Sequence, residues 1–102
     1  MILIYAPCGS QEEAERIALH LLNKRLVKCV NLHQIRSLYR WKGEVRNEPE
    51  VVMLAKARDD LFTPIKEEIE GLHSYGLPCI ISIPVADANE KYKYWVETLA
   101  ED

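Results

Sequence analysis

Two strand-forming runs, Cys29 to Trp41 and Glu44 to Ala57, are separated only by Lys42-Gly43. A Gly-containing two-residue link between such runs predicts a tight hairpin turn. At about 3.3 Å per residue, a strand of this length reaches about 43 Å, whereas a domain of about 100 residues has a radius of gyration near 13 Å. The hairpin must bend, break or project. The alternation of Val30/Leu32 and Val51/Met53/Ala55 slips phase around His33-Gln34-Ile35, and Pro49 has no N–H for a ladder. A bulge or break is therefore expected in both strands.

The remaining sequence fits around that hairpin as one domain spanning 1-102. Residues 2–6 form a short apolar run ended by Pro7 and Gly9, the pattern of a strand buried on both faces. Ser10-Gln11-Glu12-Glu13 reads as a capping box opening an amphipathic helix over about residues 11–25. Asp59 or Asp60 is expected to cap a second helix carrying Leu61, Phe62, Ile65, Ile69 and Leu72, with Pro64 tolerable in its first turn. Cys79 to Val85 reads as a strand, and Asn89 to Ala100 has helical spacing through Tyr92, Trp95, Val96 and Leu99. The order is βαββαβ plus a C-terminal helix. Right-handed crossovers turn it into an α+β, ferredoxin-like antiparallel sheet of order 4-1-3-2 with both main helices on one face. That arrangement is expected to bring Cys8, Lys56, His73, Tyr75 and Cys79 into one neighbourhood.

Charge and cysteine usage narrow the function. A formal net charge of −3 argues against bulk attraction to nucleic acid or an anionic membrane. Cys8, Cys29 and Cys79 are odd in number and form no Cys-x-x-Cys pair, so a reducing, cytoplasmic setting is expected. The apolar start Met1 to Ala6 is too short to span a membrane. No phosphate loop, dinucleotide fingerprint, zinc-protease motif or nucleophile elbow occurs, so no enzyme is read here. Glu12/Glu13 and Glu67/Glu68 read as helix-surface carboxylates and Cys29 as packing. Cys8, His73 and Cys79 are donors suited to copper or zinc, against the alternative that the cysteines simply pack. Seven basic residues lie between Lys24 and Arg46 against the single acid Glu44, interleaved with Tyr39 and Trp41. RNA-binding surfaces share that look, but a solvated hairpin or a subunit contact fits it better. An exposed hairpin ending in Tyr39 and Trp41 invites aggregation unless another chain covers it, so a closed homo-oligomer is expected.

Several segments resemble the CutA family of divalent-cation tolerance proteins. They are Lys24 to Leu32, Ser37-Leu38-Tyr39-Arg40-Trp41-Lys42-Gly43-Glu44, Glu50 to Lys56, Leu72-His73-Ser74-Tyr75 with Pro78, and Tyr92 to Val96. The resemblance covers essentially the whole chain. It implies a PII-like homotrimer built through sheet edges and the long hairpin, and a cytoplasmic non-enzyme linked to tolerance of copper and other divalent metals. Tyr39, Trp41, Lys56 and Tyr75 fall in the matching motifs, with Tyr39 and Trp41 also expected at the trimer interface. Some members of the family bind copper through a first-strand cysteine and histidines before the fourth strand. Here only His73 matches, because Ile4 stands at the cysteine position and Leu72 at that of a second histidine. Further departures are Ser74, Gly76, Cys79 and Ala57, and a segment around His33 one residue shorter. No cofactor is required, and Cu2+ or another divalent cation is the expected ligand, with His73, Cys79 and Cys8 as candidate metal residues. The alternative is a PII-like signalling module binding a small anionic effector between subunits, with Lys56, Arg58 and helix starts near Ser10 and Asp59 lining the cleft.

Overall fold

The computed structural model describes residues 1–98. The elements run β1 (Ile2–Cys8), α1 (Gln11–Asn23), β2 (Cys29–Trp41), β3 (Glu44–Ala57), a 3-10 turn at Asp59–Leu61, α2 (Phe62–Leu72), β4 (Ile81–Pro84) and α3 (Glu90–Glu97). The strands form one sheet in the order β2-β3-β1-β4 with every neighbouring pair antiparallel. This is the expected ferredoxin-like order.

Local chemistry sets the helix limits. Ser10 is extended, and its Oγ accepts the Glu13 N–H at 3.1 Å, which starts α1. The helix stops at Asn23, two residues before the expected end, because Arg25 turns left-handed (φ 59). The Leu26 N–H then reaches Leu21 O and the Arg25 N–H reaches Leu22 O, a Schellman closure built without glycine. Neither Asp59 nor Asp60 caps α2 through its side chain. Asp60 instead takes Arg58 Nε and Nη2 at 3.0 and 2.6 Å. Pro64 is the third residue of α2, where its missing N–H has no intrahelical acceptor to lose. Ile80 packs against the core, and β4 begins only after it, so Cys79 lies outside the strand. Leu99 and Ala100, expected in the last helix, lie outside the described residues.

The hairpin neither bulges nor breaks. Its register runs without interruption from Cys29 opposite Lys56 to Trp41 opposite Glu44. Lys42 (φ 49) and Gly43 (φ 80) are both left-handed, as a type I′ turn requires. Pro49 lies beyond the last β1 pair, Cys8 with Val51, where β3 has a partner on one side only and a residue lacking an N–H is tolerated. The hairpin therefore projects, giving a molecule of 46 × 26 × 22 Å.

Strand alternation divides the sheet into two faces. Ile2, Ile4, Ala6 and Cys8 of β1 and Val51, Met53, Ala55 and Ala57 of β3 pack under Ala14, Ile17, Leu21, Ile65 and Ile69 of the two main helices. On the other face, Ile83 lies beside Leu3, Ile81 beside Tyr5, Tyr5 in turn beside Leu54, and Val52 beside Pro7. α3 reaches that face at one end, where the Tyr92 ring lies 5.4 Å from Lys56 Nζ. Antiparallel sheets with a solvated face usually alternate apolar with polar residues. Here Ile81 and Ile83 are 48% and 40% exposed, so the second face is apolar and incompletely covered.

Candidate functional site

The chain reverses sharply after β1, and three elements meet there. Cys8 ends β1 on the helix-covered face, Glu13 lies in the first turn of α1, and His73 follows the last residue of α2. Their ligand atoms, one per residue, all lie within 4.8 Å of one another. Glu13 is 6% exposed and is the only buried charged side chain among the described residues. Its Oε1 accepts the Gly9 N–H at 3.0 Å and its Oε2 the Ser74 N–H at 2.8 Å. Burial alone would raise this carboxyl, but the hydrogen bonds from Ser74 and Gly9, together with His73, outweigh it and hold the group below its ordinary range.

His73 is oriented by backbone on both sides. Its Nδ1 accepts the Tyr75 N–H at 3.1 Å, so Nε2 carries the proton and donates to Pro7 O at 2.8 Å. Tyr75 then covers the corner. Its hydroxyl donates to Glu50 at 2.7 Å and its ring stands 4.6 Å from that of His73, while a Cβ at Gly9 would come within 3.3 Å of the phenol oxygen. Burial, helped by the charges of Glu13 and Glu50, pushes the Cys8 thiol up to about 12. At neutral pH it is a thiol.

Of the residues expected to meet, the structure unites Cys8, His73 and Tyr75. Cys79 is exposed and outside the three-donor group, although Glu50 helps raise its thiol after burial. Lys56 is elsewhere, because β3 runs antiparallel to β1 and places it opposite Leu3 while Cys8 faces Val51. Its ammonium lies 3.9 Å from Cys29 Sγ and over the Tyr92 ring, which raises its pKa chiefly through Tyr92. Glu13, read from sequence as a surface carboxylate, is the missed member. The capping-box spacing was its signal, since a glutamate at that position turns back over the start of its helix.

An open cleft of about 620 Å³ lies beside this corner, lined by Gly9, Ser10, Gln34, Arg36, Pro49 and Glu50. Arg36 is the one cation in its lining, and Lys56 and Arg58, expected at an effector cleft between subunits, lie outside it. Arg58 is paired with Asp60, Lys56 is committed to Tyr92 and Cys29, and the α1 start carries Glu12 and Glu13. Tyr39 and Trp41 share one face of the projecting hairpin, where the Tyr39 hydroxyl donates to Glu48.

A divalent cation needs donor atoms that converge. Ile4 and Leu72 offer no donor atom, so the copper arrangement that the resemblance implies has no ligands at those two positions. Cys8, Glu13 and His73 do fit in donor type. Bonds of 2.0–2.3 Å to zinc put tetrahedral ligands about 3.3–3.8 Å apart, so the three side chains must close by about 1 Å. Backbone groups already hold the imidazole and the carboxylate from behind, as outer-shell partners of metal ligands do.

The family described as CutA1 divalent ion tolerance protein matches residues 2–99. A divalent-cation tolerance protein CutA from Pyrococcus horikoshii is 41% identical over 96 residues, covering 94% of each chain. The solved structure of a protein described as periplasmic divalent cation tolerance protein CutA, from Archaeoglobus fulgidus, is 38% identical and superposes with a TM-score of 0.92 over 94% of this chain and 95% of its own. A protein described as PII-like protein CutA, from Nostoc, is 33% identical with a TM-score of 0.91, covering 99% and 98% of the two chains.

Proposed function

Because the chain belongs to the CutA1 divalent ion tolerance family, we propose that it works as a cytoplasmic, non-enzymatic homotrimer in the response to copper and other divalent cations. The observation that carries this reading is the apolar second face of the sheet, with Ile81 and Ile83 open to solvent beside Leu3 and Tyr5. A monomer would leave that face and the projecting hairpin, with Leu38 at 67% exposure, Tyr39 and Trp41, in water. Closed symmetric association would cover both, and three is the number of subunits that the family resemblance implies. Likeness to a PII-like protein supports the same assembly plan. The three cysteines are unpaired in the fold, which suits a reducing compartment.

Copper tolerance tests the cellular half of this reading. In a copper-sensitive host lacking its own CutA gene, this chain is expected to restore growth under copper stress, and Ile83→Glu, on the apolar face that association would cover, is expected to fail at equal expression. Failure of the wild-type chain to restore growth, or equal rescue by the variant, would overturn the reading.

A further inference from the structure

We propose that Cys8, Glu13 and His73 form a cation site particular to this chain, taking a thiophilic divalent ion of the zinc class. The proposal deepens the divalent-cation reading above and rests on it. It depends neither on the family's copper positions, which Ile4 and Leu72 leave without donors, nor on Cys79, which stands outside the group.

Three observations converge on it. The three ligand atoms lie within 4.8 Å of one another and come from three separate elements, so closing on an ion requires side-chain adjustment and no refolding. A thiol, an imidazole and a carboxylate are together the donor types zinc takes from proteins. The supports are also in place. Gly9 and Ser74 N–H groups hold the carboxylate, and Pro7 O takes the imidazole Nε2–H, fixing the tautomer whose remaining lone pair is on Nδ1. Glu13 is the decisive member, since an anion kept ionised in a buried corner lacks a full countercharge. Arg16 approaches it at only 3.9 Å and is itself mostly exposed.

Two exchanges accompany binding. The Cys8 S–H proton leaves to solvent as the sulfur–metal bond forms, and the Tyr75 N–H gives up Nδ1 to the ion. Tyr75 is exposed, so water replaces that acceptor. No electron is transferred.

Cobalt(II) is the probe, added to the reduced, full-length wild-type protein. A thiolate-to-cobalt charge-transfer band is expected at one equivalent per chain. It should vanish in Cys8→Ala, and Glu13→Gln should weaken cobalt binding about tenfold or more. The Cys29→Ala/Cys79→Ala double variant leaves Cys8 as the only thiol and should keep the band, which holds the test open even where Cys8→Ala does not fold. Absence of the band in the wild type, its loss in the double variant, or its survival in a folded Cys8→Ala protein would overturn the site. A missing band alongside intact copper rescue removes the site and leaves the functional reading. An intact band without rescue does the reverse.

Discussion

Ile83→Glu is expected to convert the assembled protein into monomers at micromolar concentration while leaving each subunit folded. Ile83 stands beside Leu3 on the sheet face opposite the two main helices, and it takes no part in the core beneath them. Burying an isoleucine contributes roughly 1.5–3 kcal/mol, and an unpaired carboxylate forced into an apolar contact costs several more. Symmetry repeats the change three times, so the total penalty exceeds about 10 kcal/mol, as much as a micromolar association supplies. Gel filtration with light scattering reads the mass, and circular dichroism reads the fold. A variant that stays assembled would mean the apolar face is covered in some other way. A variant that unfolds would mean that face is needed for the subunit itself.

Glu13→Ala is expected to lower stability at neutral pH by about 1–3 kcal/mol, because it strips the acceptor from two partly buried backbone N–H groups, of Gly9 and Ser74. The effect carries a pH signature. The Glu13 carboxyl is held below its ordinary range in the folded chain, so its contribution is fully present above the unfolded value near 4.3. That contribution is lost as pH falls from there through the folded value. Glu13→Gln cannot ionise and should lose less stability on acidification than the wild type over that window. Urea unfolding at pH 7 and at several points below pH 5 measures both curves. Parallel curves would show that the buried charge contributes nothing, whatever its hydrogen bonds.

Most of the fold was legible because each element carried its own period. β1, the helix-face residues of α1 and α2, and the strand order follow from apolar spacing and the handedness of crossovers. The phase slip at His33-Gln34-Ile35 was real but misled. It marks where the hairpin leaves the core: beyond Gln34 opposite Val51 no hairpin residue belongs to the helix-covered cluster, and the inward/outward pattern loses its cause while the ladder continues. Lys56 was misplaced because an antiparallel β3 brings its middle, at Val51, and not its end to Cys8. Two of the three candidate ligands, Cys8 and His73, were readable. Glu13 was read as a surface carboxylate, because the capping box signals its turn back over the helix start but not the Ser74 N–H that it accepts from a turn 61 residues away. The apolar second face was hidden for a related reason, since Ile81, Tyr5 and Leu54 become one surface only through strand register.

Sedimentation equilibrium of the wild-type chain at low micromolar concentration is the most direct test of the proposal that the working unit is a trimer closed over that face. A single species of three times the 11.8 kDa chain mass is predicted. A species at 11.8 kDa would contradict it.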